Sequence, residues 1–216
     1  MSPHSKICGI STHDALSAAI SGGAEYIGLV FFAKSPRNVS LEMAASLAQA
    51  ARGHTKVVAL TVDADDALLA SIQKSVKPDY FQLHGDESPK RVSDIKARFG
   101  LPVIKALPIE TATDVAKSTS FAGIADIILF DAKAPPGADL PGGNGRAFDW
   151  SLLHGVSEKL DFMLSGGLSH DNVQDAIAQS GAVAVDVSSG VETAPGQKDT
   201  ELIRRFLRAV KTGKQA

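Results

Sequence analysis

Tyr26-Ile27-Gly28-Leu29-Val30-Phe31-Phe32 is the run that decides the fold. It carries no charge and no alternation of polar with apolar residues, which is how a strand buried on both faces of a parallel sheet reads. A parallel strand needs a crossover connection on each side, and both flanks supply one. Upstream, Lys6-Ile7-Cys8-Gly9-Ile10 reads as a first strand. A helix follows over 12–21: Thr12 can cap it, Leu16 and Ile20 share a face, and Gly22-Gly23 stops it. Downstream, a polar loop over 33–39 leads to a helix over 40–51 that Gly53 closes.

The alternation continues along the chain. Strands are expected at 56–62, 80–84, 102–107, 126–131, 161–164 and 182–187, and helices from about 65 and over 88–99, 111–120, 171–179 and 199–211. Strand–helix alternation implies a parallel sheet, and eight such units imply closure into an α/β (β/α)8 TIM barrel, with residues 1–216 as a single domain. An open doubly wound sheet usually has fewer units and a Gly-x-Gly-x-x-Gly turn after its first strand, which Cys8-Gly9-Ile10-Ser11 does not supply.

Composition narrows the partners. Acidic and basic residues nearly balance, 24 against 22, and no basic run stands out, so neither nucleic acid nor an anionic membrane is expected as a partner. No window approaches a membrane span, the start lacks a secretory pattern, and a lone cysteine permits no internal disulfide; a cytoplasmic protein is expected, as a monomer or a homodimer. The six histidines show no paired ligand spacing, so no metal site is expected.

Several groups fall on the barrel's C-terminal rim, where chemistry concentrates in this architecture. Strand alternation places Lys6, Cys8 and Ile10 on one face, with the Cys8 thiol near the rim; a buried cysteine acting as a small hydrophobe is the plainer alternative. Asp131 ends strand six on the face of Ile127 and Leu129, placed to hold a proton and donate it to a leaving oxygen. Ser165-Gly166-Gly167 and Ser188-Ser189-Gly190 follow strands seven and eight, the pair of loops that in barrels often cradles a phosphate with backbone N–H groups and a helix start. Arg37, after strand two, offers a fork for a carboxylate. Strands six, seven, eight and one are consecutive in a closed ring, so the phosphate cup lies between Asp131 and Cys8, with Arg37 beyond Cys8. A small molecule phosphorylated at one end and carboxylated at the other would span them, its reacting carbons between acid and base. The long Gly- and Pro-rich loop over 133–145 suggests a shaped turn on the same rim, anchored by Phe148-Asp149-Trp150. Strand eight alternates Ala182, Ala184 and Asp186 with valines; if the small residues face inward, Asp186 meets Lys6 in an ion pair beneath the substrate.

The motifs Lys6-Ile7-Cys8-Gly9, Lys34-Ser35-Pro36-Arg37, Gln82-Leu83-His84-Gly85, Gly142-Gly143-Asn144-Gly145, Phe148-Asp149-Trp150, Ser165-Gly166-Gly167-Leu168 and Asp186-Val187-Ser188-Ser189-Gly190-Val191-Glu192 occur in order. By them the chain resembles the phosphoribosylanthranilate isomerases of tryptophan biosynthesis over nearly its whole length. Asn144 stands where that family commonly has Thr, and Ile10-Ser11 varies a position usually rich in Thr. The resemblance implies an Amadori rearrangement of N-(5-phosphoribosyl)anthranilate without a cofactor. Carried over to this sequence, it makes Asp131 the general acid and Cys8 the general base, with Arg37 on the anthranilate carboxylate. Gly166, Gly167, Ser188, Ser189 and Gly190 would hold the phosphate, and His84 would contact substrate or serve as a satisfied rim residue.

Half-ionising a thiol at pH 7 requires lowering its pKa by ~1.5 units, or ~2 kcal/mol, and Lys6, on the same inward face one pleat below, is one source of that charge. Asp131 needs the opposite tuning, raised above ~3.9 so that it carries a proton. The nearest rival is the sister sugar isomerase of histidine biosynthesis, which has an aspartate where this chain has Cys8. A catalytically silent phosphate-binding barrel and a redox-sensing cysteine are weaker readings, the latter because no resolving cysteine exists.

Overall fold

Eight parallel strands close into a ring in a computed structural model that describes residues 3–138, 140–143, 145–156 and 160–212. They are β1 (His4–Cys8), β2 (Tyr26–Phe31), β3 (Lys56–Thr61), β4 (Tyr80–Leu83), β5 (Val103–Ile109), β6 (Ile127–Ala132), β7 (Phe162–Leu164) and β8 (Ala184–Val187). Each pairs with the next, and β8 returns to β1 with Lys6 opposite Asp186. Outside lie α1 (His13–Gly22), α2 (Leu41–Ala51), α3 (Asp66–Val76), α4 (Pro89–Phe99), α5 (Ala112–Ala116), α6 (Val173–Ser180) and α7 (Thr200–Lys211). Most of these helices begin where the sequence supplies a cap: Thr12, Ser40, Asp65, Ser88 and Asp199 each accept backbone N–H groups of the first turn. Among the described residues, no helix is long and apolar enough to cross a membrane.

The barrel interior is layered. Tyr26, Tyr80 and Ile127 lie low and pack against Val58, Ile104, Ala106, Leu129, Met163 and Ala184. Cys8, Val30 and Leu60 form a smaller cluster toward the rim. Of the small residues expected inside on strand eight, Ala184 faces inward, and Asp186 with it, whereas Ala182 precedes β8 and packs in the outer core.

Three features depart from the expected pattern. β1 begins at His4 and ends at Cys8, and Gly9 follows at φ +79°, a left-handed conformation that glycine adopts without steric penalty. That residue breaks the alternation, so Ile10 leaves the Cys8 face and joins Ile7 in the outer core. The sixth unit has no α-helix among the described residues; its loop returns through one 3-10 turn at Trp150–Leu153. After β8 the chain adds an antiparallel hairpin, β9 (Glu192–Ala194) with β10 (Gln197–Lys198), which periodicity did not announce.

Candidate active site

β1 and β6 deliver Cys8 and Asp131 to one cavity at the C-terminal ends of the strands, about 770 Å³ including its open mouth. Arg37, His84, Gly166, Gly167, Ser188 and Ser189 line the same cavity. Gly190 does not: it packs against the loop after β7, where a Cβ would lie 1.9 Å from the Leu168 carbonyl oxygen. The expected gathering of acid, thiol, arginine and glycine loops is therefore present, with Gly190 behind the wall rather than in it.

The thiol end is built from charges. Lys6 Nζ donates to Asp186 Oδ1 at 2.9 Å, with the lysine wholly buried. The ion pair expected from strand alternation is thus formed, and Ser165 Oγ adds a longer bond to Asp186 Oδ2 at 3.4 Å. Gly28 makes the space: a Cβ there would sit 2.8 Å from Cys8 Sγ and 3.1 Å from Lys6 Nζ. Cys8 itself is only 3% exposed. Burial pushes its pKa up, Lys6 and Lys198 pull it down, and Asp186 pushes it up again; the net direction is upward. Burial is the largest influence; Lys6 lowers the thiol as expected, but its pull does not outweigh burial, and Asp186 opposes it. The environment of Cys8 therefore favours the thiol over the thiolate.

The acid end is a hydrogen-bonded chain. Gln82 Nε2 meets His84 Nδ1 at 3.0 Å, and His84 Nε2 meets Asp131 Oδ2 at 3.1 Å. Asp131 Oδ1 accepts from the Ala132 N–H at 2.9 Å. With the Gln82 amide donating, His84 carries its proton on Nε2 and gives it to an Asp131 carboxylate. A half-turn of that amide would seat Gln82 Oε1, a buried atom with no partner among the described residues, on His84 Nδ1–H; Nε2 then accepts from a protonated Asp131. The chain Gln82–His84–Asp131 therefore has two polarities, matching the two protonation states that an acid must visit.

Above this chain lies the long loop. A Cβ on Gly142 would fall 2.5 Å from Asp131 Oδ2 and 2.7 Å from His84 Nε2, so only glycine lets the loop close over the pair. Asn144 lies outside the described residues. Farther along, Asp149 caps the 3-10 turn that begins at the half-buried Trp150, the expected anchor.

Arg37 is buried rather than solvated. Its Nε and Nη2 fork onto Glu192 at 2.8 Å each, and Nη2 also reaches the Gly143 carbonyl at 3.4 Å. The fork expected to clasp a ligand is thus held by the protein, leaving Nη1 facing the loop at Gly143. Glu192 also accepts from Lys198 Nζ at 2.7 Å, and the two cations draw its pKa down against the upward push of burial. Neither Glu192 nor Lys198 stands out in the sequence as a site residue. The turn Pro195-Gly196 between short polar runs is the available signal, since a hairpin there must bring Lys198 back toward the rim.

The glycine loops are shaped as much by packing as by any anion. Gly166 and Gly167 have φ of +91° and +66°, and Cβ atoms on them would strike the Ala132 and Ala147 backbones at 2.6 Å and 2.5 Å. The N–H groups of Gly166, Gly167 and Ser189 donate to no acceptor among the described residues. The expected help from a helix start is absent here: α6 begins only at Val173, and β8 is followed by a three-residue 3-10 turn.

Known proteins are similar to this chain in sequence and fold. A profile of the N-(5'phosphoribosyl)anthranilate (PRA) isomerase family matches residues 5–209. An N-(5'-phosphoribosyl)anthranilate isomerase of Rhodopseudomonas palustris (strain BisA53) is 59% identical over 206 residues, covering 95% of this chain and 94% of that one. The crystal structure of phosphoribosyl anthranilate isomerase from Thermotoga maritima superimposes with a TM-score of 0.87 at 32% identity, over 97% of this chain and 98% of that one. A phosphoribosyl anthranilate isomerase in complex with reduced 1-(o-carboxyphenylamino)-1-deoxyribulose 5-phosphate gives 0.84 at 30% identity, over the same shares. With thiol, carboxyl, arginine and unpaired N–H groups converging on one rim, and a likeness that runs nearly end to end, the chain belongs to the N-(5'-phosphoribosyl)anthranilate isomerase family.

Proposed function

We propose that this chain converts N-(5-phosphoribosyl)anthranilate to 1-(2-carboxyphenylamino)-1-deoxyribulose 5-phosphate by an Amadori rearrangement, using its own side chains and no cofactor. Asp131 in its acid form protonates the ribose ring oxygen, and the ring opens to an iminium at C1′. The Cys8 thiolate then removes the C2′ proton, which the adjacent iminium has acidified, and the resulting enol-amine tautomerises to the keto product. The free N–H groups of Gly166, Gly167 and Ser189, with Ser188 beside them, face the phosphate. Arg37, oriented by Glu192, presents its remaining edge to the anthranilate carboxylate. His84 acts on Asp131 and, through the cavity wall, on the substrate beside it.

The observation that carries this reading is the shared cavity of Cys8 and Asp131, with unpaired N–H groups between their strands in the ring. It also sets the proton count. A thiol at rest facing a carboxylate holds one proton in the pair, and so does a thiolate facing a carboxylic acid. Reaction needs only the second arrangement of the same proton, so no proton has to enter from solvent before ring opening. The inward-facing pair Lys6–Asp186 fixes the field beneath the thiol while that proton moves.

Purified protein offered phosphoribosylanthranilate and, separately, the aminoimidazole substrate of the sister isomerase tests the assignment. Turnover of the anthranilate compound is expected. Turnover of the imidazole compound alone would overturn it.

A further inference from the structure

Five charged side chains are buried around the Cys8 end of the cavity. Asp186 and Arg37 line it, from β8 and from the loop after β2, and behind them lie Lys6 on β1 and Glu192 and Lys198 on the β9–β10 hairpin. His84, just after β4, and Asp131 on β6 line the same cavity. Two of the pairings cancel: Lys6 with Asp186, and Arg37 with Glu192. Lys198 is left over, and it is nearly without solvent, its side chain 1% exposed.

The ammonium is held where it bears on Cys8. Nζ donates to the Ser188 carbonyl at 2.9 Å, to Ser188 Oγ at 3.3 Å and to Glu192 Oε1 at 2.7 Å, three acceptors for its three donors. Ser188 Oγ in turn donates to the Cys8 carbonyl at 3.2 Å. A Cβ on Gly9 would lie 3.3 Å from Nζ, so the charge sits against the residue that follows the thiol. A buried cation with only half a partner is costly unless an anion joins it, and the side chain at this end able to become one is Cys8.

We infer that Lys198 is a positioning residue whose unbalanced charge, delivered by the β9–β10 hairpin, stabilises the Cys8 thiolate that the rearrangement requires. The inference rests on the reading of Cys8 as the base. With the thiol neutral, the five groups sum to one positive charge; with the thiolate formed, the six sum to zero. Burial pulls the Lys198 pKa down and pushes the Cys8 pKa up, and each group opposes that shift in the other: Lys198 favours the thiolate, and the thiolate favours the protonated lysine. The hairpin is seated for this task, because a Cβ on Gly196 would strike the Pro36 carbonyl at 2.4 Å and the Gly196 N–H donates to Glu192 Oε2 at 3.2 Å.

Cys8 is the only cysteine in the chain, so thiolate ultraviolet absorbance titrates it directly in the full protein without substrate. Lys198→Met is expected to raise the midpoint by about one pH unit, and Lys198→Arg to restore most of that shift. Glu192→Gln removes a negative charge and is expected to lower the midpoint, which decides the matter if circular dichroism shows Lys198→Met unfolded. A folded Lys198→Met titrating with the wild type, or a Glu192→Gln midpoint that stays or rises, would overturn the inference. Turnover by Cys8→Ser is the separate check on Cys8 as base: its survival would sink that reading whatever the titrations give.

Discussion

Lys6→Met probes the frame beneath the thiol. Methionine replaces most of the lysine stem, so little volume is lost, and the main effect is a stranded Asp186. That carboxylate is 4% exposed, and its other side-chain hydrogen bond among the described residues is the 3.4 Å contact with Ser165 Oγ. Breaking a buried pair from one side costs about 3–5 kcal/mol. In a chain of this length each kcal/mol moves Tm by ~2–4 °C, so a fall of roughly 6–20 °C is expected. Lys6→Met with Asp186→Leu removes both charges and is expected to recover most of the loss, because a buried pair contributes little net stability over an apolar one. Thermal and urea unfolding of the wild type, both single variants and the double variant complete the cycle. A Lys6→Met cost below about 1 kcal/mol, the scale of a solvated surface pair, would refute the buried frame. So would a double variant no more stable than the weaker single one.

Gly28→Ala places a methyl 2.8 Å from Cys8 Sγ and 3.1 Å from its Cα, and overpacking of this kind is expected to cost about 1–3 kcal/mol in a denaturant melt together with loss of turnover. Gln82→Leu removes the group that sets the His84 tautomer without touching the cavity wall; kcat is expected to fall about tenfold with KM little changed, the scale of one buried hydrogen bond. Because burial raises the Cys8 pKa, the pair keeps its single proton through neutral pH and loses it only as the thiol titrates. The pH profile of kcat/KM is therefore expected to be flat across neutrality and to fall only above the ordinary thiol range. A profile rising through that range would mean that the thiolate alone limits the rate.

Most of the barrel is legible because its physics is local. The doubly buried run at Tyr26–Phe31 and the caps at Thr12, Ser40 and Ser88 are set by neighbouring residues, and the elements follow them. The Lys6–Asp186 pair is legible for a different reason: alternation along two strands fixes which side chains point inward, and closure of the ring makes β1 and β8 neighbours. What stays hidden depends on positions far apart in sequence. The Arg37–Glu192 fork joins residues 155 apart, and no residue near Arg37 in the chain reveals that its guanidinium already has a carboxylate. Ile10 is misplaced by one left-handed glycine at position 9, whose conformation answers to the packing of Arg37 and Lys198 against it. The thiol's upward shift is hidden too, since its largest cause is burial, which only the closed barrel reveals, with Asp186 adding to it.

Single-turnover conversion of freshly made phosphoribosylanthranilate, followed by loss of its fluorescence, in the wild type, Cys8→Ser and Asp131→Asn tests the proton-sharing pair most directly. The account predicts that each variant still binds substrate and loses roughly 10²–10⁴-fold in rate, the contribution of a positioned acid or base. A folded variant of either residue that keeps the wild-type rate to within about tenfold would contradict it.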